Sequence, residues 1–122
     1  MKERNIIREK KFKFGLRILK LYTYLRENKL DIGLCSQILR CGTSIAANME
    51  ESIGGSSGKD FIYKLELAYR ETRETNYWLT LLQEGEIIET RLVSSLLSDC
   101  EEIQKTLAVI IHSAKTEKIT NS

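Results

Sequence analysis

The stretch GGSSGKD, residues 54–60, combines glycines, serines and a lysine, which are the residue types of a phosphate-binding loop. In such a loop, glycine N–H groups close around the phosphates and a Ser or Thr after the lysine holds a metal ion. Gly54 and Gly58 enclose only three residues where the pattern requires four, and Asp60 follows Lys59 in place of the hydroxyl residue. The preceding SIAANMEES favours a helix, whereas a phosphate loop follows a strand. The stretch therefore indicates a connection between two helices.

Within this connection, local chemistry predicts how one helix ends and the next begins. Gly54 or Gly55 can take the left-handed conformation that ends a helix. Ser57 can then N-cap the following helix, with Asp60 completing a capping box.

Other arrangements that support catalysis or metal binding are missing from the sequence. Cys35, Cys41 and Cys100 are scattered without a CxxC pair, and His112 is the only histidine. These residues favour neither a zinc site nor a disulfide framework, and they fit small core positions in a reducing cytoplasm. No Ser/His/Asp or Cys/His nucleophile arrangement is visible, and no second carboxylate is identified for acid–base catalysis. We therefore expect a protein that is not an enzyme and has no cofactor or metal.

One set of polar residues does recur at helical spacing. Ser44, Asn48 and Glu51 lie at i, i+4 and i+7, so they share one helix face, and Glu74 can reach them from the next helix. Polar groups inside a bundle are costly unless they are paired. We interpret the four as a structural hydrogen-bond network that fixes helix register, with a small-molecule or metal site as the alternative. Metal sites in bundles use several carboxylates and Glu-x-x-His pairs, which this set does not provide.

The elements that position these residues are helices. The chain of 122 residues is long enough for one domain, and it contains no proline, which favours long uninterrupted helices. Apolar steps of three and four predict helices over residues 5–27, 32–53, 59–83 and 90–115. Asp31 is a candidate N-cap, Gly85 follows the third helix, and the polar tail after Lys115 is expected to fray. Short connections make neighbours antiparallel, so the predicted fold is all-α, an up-down-up-down four-helix bundle over residues 1–122.

Each predicted helix has one apolar stripe that should form the core. The stripes are Ile7, Phe14, Ile18, Leu21 and Leu25; Leu34, Ile38, Ile45, Met49 and Ile53; Phe61, Leu65, Ala68, Thr72, Thr75, Leu79 and Leu82; and Val93, Leu96, Cys100, Ile103, Leu107, Ile110 and Ala114.

The first helix also carries a second apolar row. Phe12, Leu16 and Leu19 follow each other at steps of 4 and 3 and lie roughly opposite the core stripe. Tyr77 and Trp78 similarly flank the stripe of the third helix. A bundle helix needs only one buried stripe, and exposed rows usually mark an interface. We predict self-association through these five residues; the alternative is that some of them lean over the edge of the core.

Basic residues are concentrated at the start of the chain. Residues 1–20 carry a net charge of +6 and the remainder carries −4. Within this segment Lys10, Lys13, Arg17 and Lys20 form one stripe beside the core face. An outward stripe predicts backbone-directed, salt-sensitive binding of RNA or DNA. A solvated face is the alternative, and a stripe covered by acidic neighbours would favour a structural or protein-binding scaffold.

The sequence also bears on location. No apolar run approaches the ~20 residues of a membrane span, and the N-terminal segment has no apolar signal core. We expect a cytoplasmic protein with no membrane partner.

The central sequence resembles the 23S rRNA intervening-sequence protein family. The resemblance covers nearly the whole chain and rests on a signature of Ser44, Ile45, Asn48, Glu51, Asp60, Phe61, Leu65, Ala68 and Glu74. Ser52 departs mildly from the Gly or Ala that is common in the family. The resemblance implies an antiparallel four-helix bundle that assembles as a ring, typically of five subunits, and it implies no known reaction.

Relatives of this family include accessory proteins of diversity-generating retroelements, which work beside a reverse transcriptase and bind nucleic acid. We therefore expect a homopentamer with an assembly or adaptor role beside RNA, DNA or a nucleic-acid-processing protein. The alternative is a structural or protein-binding scaffold with no nucleic-acid contact.

Overall fold

Four α-helices make up the part of the chain that the computed structural model describes, which is residues 2–54 and 57–120, with side chains over 8–54 and 57–117. They are α1 (Lys2–Glu27), α2 (Ile32–Ile53), α3 (Gly58–Glu84) and α4 (Thr90–Thr120). Each helix packs against its neighbours in the chain, and α1 also meets α4, which closes the bundle. The predicted all-α four-helix bundle is confirmed.

Side-chain caps begin two of the helices, as the sequence predicts. The Asp31 carboxylate accepts a hydrogen bond from the Leu34 N–H at 3.1 Å, and the Ser57 hydroxyl oxygen accepts one from the Asp60 N–H at 3.1 Å. N–H groups in the first turn of a helix have no backbone carbonyl acceptor within that helix, and each bond supplies one of them with a side-chain acceptor.

The helix ends differ from the prediction in three respects. Gly54 ends α2 with a φ of −85°, so it is not left-handed, and Gly55 lies outside the described residues. The left-handed positions are instead Lys29, with φ 61°, and Glu86, with φ 53°. Each follows a helix whose last carbonyls accept turn-closing N–H bonds, the usual place for a glycine. Finally, α4 continues past Lys115 to Thr120, where a frayed tail was expected.

The core stripes are buried largely as predicted, from Phe14 and Ile18 on α1 to Leu107 on α4. One exception is Ile53, which is exposed because α2 ends there and no neighbour covers its side chain. On α2 and α3 the buried position is shifted by one residue, so that Cys35 and Ile62 are buried while Leu34 and Phe61 are half-buried beside them. Ile110 and Ala114, at the end of the predicted α4 stripe, are also half-buried. The side chain of Ile7 lies outside the described residues.

The four helices, over their described residues, do not include one that is both long and apolar enough to cross a membrane.

Candidate assembly interface

The outer face of α1 carries an apolar row that nothing in the described chain covers. Phe12 is 65% exposed, Leu16 42% and Leu19 48%, whereas Phe14 and Ile18 between them are almost completely buried. The alternation follows from helix geometry, since residues two apart point to nearly opposite faces. We call Phe12, Leu16 and Leu19 the α1 row.

A shallow groove between α1 and α2 adjoins this row. Phe12 lies on one side of the groove and the small side chains of Ala46 and Ala47 lie on the other. Lys11 borders the groove with only 4% of its side chain exposed, and its Nζ lies 2.8 Å from an oxygen of Glu50. That hydrogen bond is the main reason why the pKa of the Glu50 carboxyl is lowered. The groove therefore combines an apolar wall with a border on which Lys11 and Glu50 are paired with each other.

The outer face of α3 carries a second exposed set, Tyr63, Tyr77 and Leu81, which we call the α3 strip. Trp78 beside it is half-buried and packs against the core, as the alternative interpretation of the sequence allowed. Tyr77 is 58% exposed, and its ring meets that of Trp78 edge to face at 5.2 Å between centroids. The indole N–H of Trp78 donates to Glu74 at 3.0 Å, which holds the ring in place.

Acidic residues of α4 pair with two of the four residues in the basic stripe of α1, and the other two remain exposed. Lys10 forms an ion pair with Glu102, and the Arg17 guanidinium donates to the Asp99 carboxylate at 2.6 Å. Lys13 and Lys20 are exposed, and neither has an ion pair within the described residues. Two of the four predicted nucleic-acid contacts are thus committed to holding α1 against α4.

The predicted network of Ser44, Asn48, Glu51 and Glu74 does not form as one unit. Ser44 donates its hydroxyl hydrogen to the Arg40 carbonyl at 2.6 Å, and the Asn48 amide donates to the Ser44 carbonyl at 2.9 Å. Both side chains bond one turn back along α2, because the carbonyl four residues earlier is the nearest acceptor. Within the described residues, neither side chain bonds to either glutamate.

The two glutamates of that set instead form separate ion pairs between α2 and α3. Glu51 pairs with Lys64 at 2.8 Å, near the connection between the helices. Glu74 pairs with Arg40, whose guanidinium also lies 3.4 Å from Glu71.

Sequence reasoning missed this group of Arg40, Glu71 and Glu74, which we call the Arg40 cluster. The pKa of Glu74 is lowered, first by the hydrogen bond from Trp78 and then by that from Arg40. The pKa of Glu71 is raised, because the effect of burial exceeds the attraction of Arg40. Only the axial offset between α2 and α3 brings these groups together, and residue spacing along one helix does not encode that offset.

The cysteines are not placed for nucleophilic chemistry. Burial raises the pKa of Cys41 to about 11 and that of Cys100 to about 12, so both thiols stay protonated near neutral pH. In the part of the chain that is described, no group of three or more His, Cys, Asp or Glu side chains is placed to hold a metal ion.

The profile of the 23S rRNA-intervening sequence protein family matches residues 3–109. The chain belongs to this family. It is also similar to the crystal structure of a protein of unknown function from the S23 ribosomal protein family of Bacteroides thetaiotaomicron. The two chains are 42% identical with a TM-score of 0.82, over 86% of this chain and 97% of the other. A comparison with curated proteins gave no match.

Membership of the 23S rRNA-intervening sequence protein family confirms the resemblance carried by the signature between Ser44 and Glu74. Neither the family description nor the similar structure names a reaction, a partner or a subunit number.

Proposed function

We propose that this chain is a non-enzymatic, self-assembling scaffold, which forms a ring of copies and presents helical surfaces to other proteins. The observation that carries the proposal is the exposed α1 row of Phe12, Leu16 and Leu19. Soluble monomers rarely expose contiguous apolar rows without an interaction to cover them. Five copies are expected if the ring implied by the family resemblance is formed.

The energetics support a role for the α1 row as the centre of an interface. Burying one large apolar side chain completely contributes about 1.5–3 kcal/mol relative to leaving it exposed. The three side chains are about half exposed, so their burial supplies a few kcal/mol in total. Stable interfaces bury roughly 800 Å² on each partner, so neighbouring residues must complete the contact.

The charges of α1 favour a scaffold over a polyanion-binding surface. Lys10 and Arg17 already have carboxylate partners on α4, and a phosphate would have to displace them. Lys13 and Lys20 alone would neutralise few phosphates per chain, and phosphate neutralisation supplies most of the affinity of non-specific nucleic-acid binding. Nucleic-acid association remains the second candidate function, because these two lysines are exposed.

The assembly is tested by placing a charge in the α1 row. Phe12→Glu combined with Leu16→Glu should convert the wild-type oligomer to a monomer, because each carboxylate would have to be desolvated at the interface. Multi-angle light scattering measures the mass, and circular dichroism checks that helical content is retained.

Ile87→Glu is the control for this variant. Ile87 is 46% exposed, but it lies in the connection between α3 and α4 and outside the α1 row, so its substitution should leave the mass unchanged. A wild-type protein that is strictly monomeric at micromolar concentration would rule the scaffold assembly out.

A further inference from the structure

A groove between α3 and α4 combines an exposed aromatic ring with polar side chains. Arg73, Asn76 and Tyr77 line it on the α3 side, and Gln104 and Lys105 line it on the α4 side. Tyr77 is 58% exposed, so its ring is open to a ligand. The α1 row adjoins the groove between α1 and α2 instead, and among the described residues α1 and α3 do not contact each other. The two surfaces therefore lie on different sides of the bundle, and we call this one the α3–α4 groove.

The cations of the α3–α4 groove are not paired with acids. Arg73 and Lys105 are exposed, and neither forms an ion pair within the described residues. Arg70, one turn before Arg73 on the same face of α3, is exposed and unpaired in the same part of the chain. Glu101 is the carboxylate that lines the groove, so three cations stand against one anion. An anionic ligand can bind here without displacing an existing partner, which is not the case for the paired cations of α1.

Two half-buried amides in the α3–α4 groove have hydrogen-bonding groups without a partner. The Asn76 oxygen accepts a hydrogen bond from the Thr80 hydroxyl at 3.4 Å, but its amide N–H groups have no acceptor within the described residues. The Gln104 amide has neither a donor nor an acceptor partner in that part of the chain. Amides carry both donors and an acceptor, and the edges of nucleobases present the complementary groups.

We propose that the α3–α4 groove binds single-stranded nucleic acid. A base stacks on Tyr77, the phosphates beside it lie against Arg73 and Lys105, and the amides bond to base edges. Proteins that bind single strands combine a positively charged groove with aromatic rings in this way. In a duplex the bases are stacked on each other, so their faces are not available to Tyr77. The proposal is independent of the self-assembly, and it differs from binding through Lys13 and Lys20 in its site and in the form of its ligand.

The ring of Tyr77 is held in a fixed position before any ligand binds. It meets Trp78 edge to face at 5.2 Å between centroids, and Trp78 packs against the core with its indole N–H bonded to Glu74. A ring that is already ordered loses less conformational entropy when a base stacks on it. A chain of carboxylates would pair with the same cations, but it has no planar base to stack on the ring. The groove therefore fits a nucleic acid better than an acidic peptide.

Fluorescence anisotropy with a labelled oligodeoxythymidine of about 12 nucleotides tests the proposal at about 50 mM salt. Wild type should bind this strand at least about tenfold more tightly than its duplex or an abasic strand of equal length. Tyr77→Ala should weaken binding by about fivefold or more, because stacking on the ring is lost. Tyr77→Phe should keep the wild-type affinity, because a phenyl ring also stacks.

Two matched pairs of charge removals locate the site. Arg73→Gln/Lys105→Gln should lower the affinity and reduce the slope of log affinity against log salt by about 1.4, since each phosphate contact on a single strand contributes about 0.7. Lys13→Gln/Lys20→Gln removes the same charge from α1 and should leave both quantities unchanged. Glu101→Gln removes the carboxylate from the groove and should strengthen binding. Circular dichroism checks that each variant is folded.

Several outcomes would overturn the proposal. Single strands that do not bind at about 50 mM salt, or that bind no better than the duplex, would do so. An unchanged affinity in Tyr77→Ala would show that no base stacks there, and equal competition by polyglutamate would show that the groove recognises charge alone. Thymidine monophosphate that binds as tightly as the strand would make the ligand a free nucleotide. Loss of binding with Lys13 and Lys20 would place the nucleic acid on α1. The self-assembly is measured separately by mass, and none of these outcomes changes it.

Discussion

At the scale of single residues, the Arg40 cluster contains two carboxyl groups whose pKa values are shifted in opposite directions. Glu74 accepts hydrogen bonds from Trp78 and Arg40, which favour its charged form and lower its pKa from 4.5. Glu71 is more buried and its pKa is raised, so folding favours its neutral form. Two glutamates one turn apart on α3 therefore contribute to stability with opposite dependence on pH.

This difference predicts the effect of Glu74→Gln. A lowered folded pKa adds stability above the unfolded value near 4.5, and that stability is lost as pH falls through the folded pKa. Glu74→Gln should therefore reduce the free energy of unfolding by about 1 kcal/mol at neutral pH, a figure discounted for the partial exposure of the cluster. The gap between wild type and variant should shrink as the pH falls below 4.5 and Glu74 becomes protonated in the folded protein. Urea unfolding followed by the fluorescence of Trp78 measures both.

Glu71→Gln is the control, because the pKa of Glu71 is shifted in the opposite direction to that of Glu74. Removing a charge whose pKa is raised by burial should not destabilise the protein at neutral pH. Equal losses for the two variants at every pH would contradict the assignment of Glu74 as the stabilising carboxylate.

The structure also changes the interpretation of Asn48. Its spacing suggested a residue that sets helix register, but its amide bonds only to the Ser44 carbonyl one turn back on the same helix. A bond of this kind stabilises one helical turn and does not select a neighbouring helix.

At the scale of the elements, the contact between α1 and α2 depends on one glycine. A Cβ at Gly42 would lie 2.8 Å from both Cγ1 and Cγ2 of Ile18, which is fully buried. These atoms belong to a branched core side chain that cannot move aside without disturbing its neighbours. The absence of a side chain at Gly42 therefore sets how closely the two helices approach.

Gly42→Ala should consequently destabilise the bundle. Overpacking a core costs roughly 1–3 kcal/mol, which exceeds the ~1 kcal/mol that alanine gains over glycine in a helix. Gly15→Ala on α1 is the matched change, because a Cβ there meets no atom within 4 Å, and it should be neutral or stabilising by up to about 1 kcal/mol. Thermal unfolding compares the two; a stabilised Gly42→Ala variant would mean that the close packing against Ile18 is absent in solution.

The contact between α1 and α4 is of a different kind. Lys10–Glu102 and Arg17–Asp99 bridge it with partly exposed ion pairs, which contribute little stability individually. Their more important consequence is to reduce the charge that α1 presents to solvent.

At the scale of the whole molecule, this neutralisation predicts weak binding to nucleic acid. Wild type should bind structured RNA and duplex DNA only weakly at about 50 mM salt, where phosphate contacts are strongest. A Lys13→Gln/Lys20→Gln variant should have the same affinities as wild type. Lys10→Gln/Arg17→Gln is the matched pair, and it should affect thermal stability rather than binding. Fluorescence anisotropy across a salt series measures the affinities. Wild-type binding that falls steeply with salt and is lost with Lys13 and Lys20 would establish the second candidate function instead.

The sequence by itself determined the helices, most of their ends and the core. Absence of proline and apolar steps of three and four are local properties, so four helices follow without knowledge of their packing. Capping by Asp31 and Ser57 is equally local, because each bond closes within one turn. The exposure of the α1 row was also predictable, since Phe12 and Phe14 must face opposite sides of one helix.

Only the tertiary structure decided which charges meet. The pairing of Arg17 with Asp99, the Arg40 cluster and the division of the predicted polar network all depend on the rotation and axial offset of neighbouring helices. Spacing within a helix says which residues share a face, but not which residue of another helix lies opposite. For the same reason the sequence showed a basic stripe where the folded bundle presents two paired and two exposed cations. The acids that neutralise Lys10 and Arg17 lie 92 and 82 residues further along the chain.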